Sequence, residues 1–286
     1  MTMKLDVHAV RADFPILETE VYGKPLVYLD NAASAQKPKQ VIDKMTEVLE
    51  SGYANVHRGL HYLSNKATDG FEAARESARL FLNAPRVEDI IFTSGATDAI
   101  NLVAYSYLSP RIEEGDEIIL SVMEHHSNIV PWHYLREEKG AVLKWVPVSD
   151  AGELDYDAYV SMLSPKTKMV ALTQMSNALG TITPMKNIIE AAHAHNVPVL
   201  VDGCQGAVHL VTDVQALDAD FYVFSGHKVY GPSGIGVLYG KTDLLAEMRP
   251  YRGGGEMIRE VTMDMVTYGD APHRFEAGTP PIVEAI

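Results

Sequence analysis

Lys228 stands in the run "FYVFSGHKVYGPSGIG", residues 221 to 236, directly after the apolar stretch Phe221–Phe224 and beside Ser225 and His227. Lysine is among the residues least often fully buried, so at the end of a buried strand it needs a partner. An amine in such a place is a nucleophile toward carbonyl groups and the residue type that forms Schiff bases. Other apolar runs end in polar groups of complementary kinds. Ser94-Gly95-Ala96-Thr97 precedes a helix pattern and offers N–H groups of the type that cradle phosphate, though such a turn is more often a plain helix cap. Glu124, His125 and His126 stand at the next strand end, where a lone histidine would usually be structural, Asn177 supplies an amide that would otherwise serve only a turn, and Asp202 and Gln205 a carboxylate and an amide. A carboxylate after four apolar residues is desolvated and needs a cation or donors to stay charged.

Together these strand ends carry what pyridoxal phosphate requires. Lysine condenses with its aldehyde, an aspartate keeps its ring nitrogen protonated, serine, histidine and a helix N-terminus hold its phosphate, and an imidazole lies over its ring. Lys228 is then expected to be buried because its partner is a covalent cofactor. A zinc hydrolase is the rival from another class: His57 and His61 are spaced i, i+4, as on one helical face, with His125, His126 and Asp202 as further ligands. That reading lacks the glutamate of HExxH, places Gly59 mid-motif and leaves Lys228 unexplained. No Walker loop or dinucleotide fingerprint occurs.

The elements that must position these residues alternate along the chain. Strand candidates are "DIIFTSG", "EIILSVME", "VLKWVPV", "MVALTQMSN", "VPVLVDGCQ", "FYVFSGHK" and "IGVLYG". Most are continuously apolar, as for strands covered on both faces. Helix patterns fall between them at Thr97–Leu108, Ile129–Lys139, Asp155–Leu163 and Met185–His195, with two more near the start at Lys39–Glu50 and Ser64–Leu82. The alternation predicts an α/β domain with a mostly parallel, seven-stranded sheet covered by helices, whose ligands bind at the carboxyl ends of the strands. Residues 1–30 read as an N-terminal segment and 31–286 as the large, ligand-binding domain. Thr279 as a cap residue and two prolines precede Ile282, Val283 and Ile286, a helix start that stops after about one turn and a half. A small C-terminal domain is expected to be absent.

A net charge of −14 argues against a nucleic-acid binder. No apolar run of about 18 residues suggests a membrane span, and the first residues carry charge rather than an apolar signal core. With one cysteine, Cys204, no internal disulfide can form. A cytoplasmic protein is the expectation.

The motifs "LDNAASAQKP", "NVHRGLHYLS", "SGATDAINLV", "MEHHSNIVPW", "SNALGT", "VDGCQGAVH", "DFYVFSGHKVYGPSGIGVLYG" and "RFEAGTPP" closely resemble the cysteine desulfurases of the class V aminotransferase superfamily, in family order and from Val10 onward. The Suf-type group, relatives of selenocysteine lyase, is the nearest match. The resemblance implies that Lys228 is the Schiff-base lysine, Asp202 the partner of the pyridine nitrogen and Gln205 a contact of the ring hydroxyl. His125 would stack on the ring and move protons, Asn177 would lie near the ring hydroxyl and substrate, and Ala96, Thr97, Ser225 and His227 would bind phosphate. Thr279 would reach the phosphate of a partner subunit in a homodimer, and Arg58 would line the mouth of the site.

It further implies that L-cysteine is converted to alanine, with sulfur passed as a persulfide to an acceptor protein for iron–sulfur cluster assembly. The family's nucleophilic cysteine and its carboxylate-binding arginine lie in the C-terminal third, so the 286 residues are expected to bind cofactor better than they turn over cysteine. Cys204 reads as a small buried residue, aimed elsewhere by its turn, where alanine would also fit. Selenocysteine lyase, another class V aminotransferase, or an inactive cofactor-binding fragment are the remaining alternatives.

Overall fold

The computed structural model describes residues 5–286. Its centre is a seven-stranded sheet, preceded by a small hairpin of β1 (Glu20–Val21) and β2 (Lys24–Pro25). The sheet strands are β3 (Ile90–Thr93), β4 (Glu117–Ser121), β5 (Val142–Val146), β6 (Thr167–Thr173), β7 (Val199–Asp202), β8 (Phe221–Ser225) and β9 (Gly236–Gly240). They lie in the order β3-β9-β8-β7-β6-β4-β5. Only β9 runs against the others. All seven strands coincide with the apolar runs of the sequence.

The reason those runs are continuous is visible in the two cores. Ile90, Phe92, Val199, Val201, Tyr222 and Phe224 pack into one, while Ile91, Leu200, Phe221 and Val223 pack into the other. Neighbouring residues of one strand therefore face opposite cores, as the pleat requires, and both faces exclude water.

Helices fill the crossovers at Ala96–Leu102, Val130–Lys139, Tyr156–Met162 and Met185–His193, within two residues of the expected bounds except at one place. The helix expected to reach Leu108 changes at Val103 into a π-helical segment, Val103–Leu108, a change of hydrogen-bond register that hydrophobic spacing does not report. Outside the alternation, Lys39–Ser51 and Tyr62–Leu82 form long helices, the second sealing one core through Ala67, Phe71 and Leu82.

Two expectations are corrected. His57 and His61 do not share a helical face: His57 has φ +66° outside any helix. His61 instead caps the Tyr62 helix, its ring nitrogen Nδ1 accepting the Ser64 N–H at 3.3 Å. The last helix, Ile282–Ala285, begins after Pro281, so Thr279 is not its cap. Beyond the sheet, β10 (Ile258–Val261) and β11 (Val266–Tyr268) form a second, largely exposed hairpin.

Candidate active site

A cavity of about 360 Å³ opens where β3, β4, β6, β7 and β8 end, within the ~300–1,000 Å³ range of small-molecule sites. Ala96, Thr97, His125, Asn177, Asp202, Gln205, Ser225, His227 and Lys228 all line it. Residues up to 132 positions apart in sequence are thus brought together by parallel strands that terminate on one edge.

The floor is rigid for identifiable reasons. Asp202 is 3% exposed and ends β7, where the chain turns through Gly203. A Cβ at Gly203 would overlap the Tyr222 ring, and one at Gly206 would overlap the Gln174 amide, so the turn lies directly on its support. The Tyr222 hydroxyl donates to Gln174 Oε1 at 2.7 Å and meets Thr212 Oγ1 at 3.1 Å. The Cys204 N–H donates to Asp202 Oδ1 at 3.0 Å.

The adjoining wall is the β8 end. The Ala96 N–H donates to Ser225 Oγ at 2.9 Å, locking the first turn after β3 onto β8. This approach is close because glycines face each other: a Cβ on Gly236 would strike the Gly95 backbone, and Gly95 itself has φ +140°, a conformation other residues rarely adopt. Lys228 follows on a short 3₁₀ turn, Gly226–Lys228. It is half-buried rather than buried, since its side chain belongs to the cavity wall. His227 is held by Ser34, whose Oγ lies 3.2 Å from its Nδ1. Burial and the neighbouring Lys228 and Lys37 ammonium groups keep its imidazole below the ordinary histidine range.

His125 stands on the rim, exposed in the single chain. Its Nδ1 accepts the Ser127 N–H at 3.2 Å, which leaves the proton of the neutral ring on Nε2. Burial first, then Lys228, lowers its pKa, with Asp202 opposing. The preceding residue, Glu124, points inward instead. It accepts from Ser121 Oγ and, at 2.8 Å, from Asn128 Nδ2, and burial lifts its pKa to about 7.

Several lining residues were not anticipated. Asp30, Ala32 and Ala33 close one side of the cavity, and Gln205 Nε2 donates to the Ala32 carbonyl at 2.7 Å. Ser127, Thr173 and Met175 also contribute. Such contacts carry no local signal; only the "HHS" and strand-end positions of Ser127 and Thr173 could have suggested them. Cys204 lines the cavity as well, contrary to the expectation that its turn would aim it away, but it is buried. Burial and the adjacent Asp202 push its thiol pKa well up. Thr279 is not brought in: it is exposed and lines a separate cleft with Asp98, Arg252 and Glu276. Arg58 pairs with Glu256 at 2.6 Å.

A doubly covered parallel sheet whose strand ends gather a lysine, an aspartate and a histidine around a small-molecule cavity defines an α/β ligand-binding domain of the strand-end type. Residues 27–286 match the family model described as Aminotransferase class-V, and the chain belongs to that family. It is 54% identical to a cysteine desulfurase of Synechococcus elongatus over 98% of this chain and 45% of that protein. To a cysteine desulfurase of Dickeya dadantii it is 53% identical over 98% of this chain and 68% of that one. The crystal structure of the Escherichia coli cysteine desulfurase CsdA superposes with a TM-score of 0.90 at 43% identity, covering 99% of this chain and 69% of that chain. The chain thus spans less than half of the first relative and about two thirds of the other two.

Proposed function

We propose that the cavity holds pyridoxal phosphate on Lys228 and that the chain serves in the desulfuration of L-cysteine. The observation that carries this reading is the placement of the Lys228 amine and the deeply buried Asp202 carboxylate in one cavity. Buried carboxylates without a cation are costly, and among the described residues the side-chain carboxylate of Asp202 accepts only from its own turn, the Cys204 N–H. A pyridinium nitrogen is the partner this set of groups fits. The relatives' shared description as cysteine desulfurases supports the substrate.

When bound, pyridoxal phosphate supplies an electron sink for the charge left by removal of the substrate α-proton. Lys228 would hold it covalently and exchange that bond for the substrate amine. Asp202 would keep the ring nitrogen protonated, and Gln205, its Nε2 engaged by Ala32, would turn its oxygen to the ring hydroxyl. Ala96, Thr97, Ser225 and His227 would surround the phosphate, with Ser225 Oγ already oriented by the Ala96 N–H. His125 would lie on the ring and move protons through Nε2, and Asn177 would meet the substrate. In the sulfur step the substrate C–S bond breaks, a thiolate gains the sulfur as a persulfide, and the remaining carbon skeleton takes protons to leave as alanine. Cys204 is unsuited to be that thiolate, being buried with its thiol held protonated, so the acceptor thiolate comes from outside these 286 residues. Thr279, exposed beside Arg252, would reach the phosphate of a second copy in a homodimer. Delivery of sulfur to an acceptor protein for iron–sulfur assembly, in the cytoplasm, completes the reading. Selenocysteine would fit the same groups.

The test is titration of the chain with pyridoxal phosphate, followed by borohydride reduction and peptide mapping. An adduct on Lys228 is expected; a folded chain with the adduct elsewhere, or with none, overturns the assignment. Alanine release from L-cysteine and from L-selenocysteine, with an added thiol, then separates the two substrates.

A further inference from the structure

Next to the cavity lies a buried polar chain that the proposed reaction leaves unused. Trp132 Nε1 donates to Asn128 Oδ1 at 3.1 Å, which fixes the orientation of the Asn128 amide, and Asn128 Nδ2 then donates to Glu124 Oε2 at 2.8 Å. Ser121 Oγ donates to Glu124 Oε1. Ser121, Asn128 and Trp132 are each fully buried and Glu124 is 7% exposed. Glu124 therefore joins the end of β4 to the turn that carries His125 and, through Asn128, to Trp132 on the Val130 helix.

A glutamine could make these contacts without the cost of burying a charge. Glu124 is met by Ser121 on β4 and Asn128 on the following turn, Thr173 on β6 and Asp202 on β7 act on it from nearby, and among the described residues no basic side chain is paired with it. The nearby charge is Asp202, of the same sign. A titratable carboxyl next to Asp202 is thus set to respond to whatever Asp202 faces. We propose that Glu124 is a positioning residue of this site: it fastens the His125 turn to the β4 end, and its carboxyl responds to the charge opposite Asp202. The second half rests on the pyridoxal phosphate reading, because a ring cation paired with Asp202 relieves the repulsion that adds to burial in raising the Glu124 pKa. The first half rests on the hydrogen bonds alone.

The experiment compares the full chain with Glu124→Gln and Glu124→Ala, with and without pyridoxal phosphate, following the His125 imidazole signals by NMR across pH. Without cofactor, the parent chain is expected to show His125's own titration and a second inflection near pH 7. Glu124→Gln should lose the second inflection and keep the first; a second inflection that survives in this variant overturns the proposal. Glu124→Ala strands the Asn128 and Ser121 donors, and its His125 signals should broaden or shift. Pyridoxal phosphate should bind that variant about tenfold more weakly, and Glu124→Gln should recover the parent affinity. Unchanged His125 signals and affinity in a folded Glu124→Ala chain overturn the positioning role; if that variant does not fold, the Glu124→Gln inflection decides. With cofactor bound, the second inflection of the parent chain should move to lower pH, and an inflection that stays in place overturns the coupling. Failure of the parent chain to take pyridoxal phosphate counts against the cofactor reading, while the inflection in the cofactor-free chain still decides whether Glu124 acts on His125.

Discussion

The Tyr222 ring fills the space in which a Cβ on Gly203 would stand. Tyr222 lies on β8 and Gly203 follows Asp202 on the neighbouring strand, so the tyrosine sets how deep the Asp202 turn sits. Its hydroxyl is tied to Gln174 and Thr212 and cannot swing aside without leaving those buried groups unpaired. Gly203→Ala is therefore expected to lower stability by about 1–3 kcal/mol through overpacking, read as a lower urea midpoint. It should also weaken pyridoxal phosphate binding, because Asp202 is displaced with the turn. A variant with parent stability and affinity would show that the turn is free to move.

The sheet was legible because its strands are covered on both faces. A run such as Val199–Val201 must be apolar at every position when alternate residues enter opposite cores, and that leaves a plain mark in the sequence. The strand-end residues were legible for a related reason: Asp202 and Lys228 interrupt apolar runs where a polar group is costly. What escaped depends on distance or on hydrogen-bond register. Gln205 and Ala32 are 173 residues apart, and nothing near either predicts their bond. The π-helical Val103–Leu108 has the same apolar spacing as an α-helix over so short a length. The β10–β11 hairpin buries too little to show a pattern, with Val261, Met263 and Val266 exposed. Glu124 was visible beside His125, but its inward direction depends on Asn128, whose amide is turned by Trp132.

Cys204 tests whether the single thiol matters. It is buried against Asp202 and Ser225, with its thiol held protonated, and thiolates rather than thiols are nucleophiles. Cys204→Ala should cost about 1 kcal/mol for the lost sulfur contacts and leave pyridoxal phosphate binding at the parent level. Alkylation of the native chain by iodoacetamide should be slow and accelerate on unfolding. Fast alkylation of the folded chain would reopen Cys204 as a reactive group.

Arg75 and Glu276 form an ion pair removed from water, with side-chain exposures of 1% and 6%. Two guanidinium nitrogens meet the two carboxylate oxygens at 2.6 and 2.9 Å, and the Phe92 N–H donates to Glu276 at 2.7 Å. Burial opposes the Arg75 charge, but Glu276 and Glu72 outweigh it and hold its pKa above the ordinary value. The pair anchors the segment leading to Thr279 onto β3. Arg75→Met or Glu276→Gln alone should cost about 3–5 kcal/mol, since each leaves a buried charge without its partner. The double replacement should cost clearly less than the two singles together, and thermal melts of the four chains close the cycle. Additive losses would mean that the two groups act on stability separately.

Glu124 predicts how stability depends on pH. Its folded pKa, about 7, lies above the ordinary 4.5, so between those values the folded chain binds more protons than the unfolded one. Stability from this group is then complete below about pH 4.5 and is lost as pH rises through about 7. At about 1.4 kcal/mol per unit the span is worth on the order of 3 kcal/mol. Glu72, paired with Arg75 and His57, has its pKa lowered in the folded chain despite burial, so its contribution is gained below about pH 4.5 and leaves this window untouched. The difference between parent and Glu124→Gln isolates the one group. In urea titrations the variant should gain on the parent steadily from about pH 4.5 to 7 and hold a constant lead above that. A lead that does not change with pH would mean that Glu124 keeps the same charge in the folded and unfolded chain.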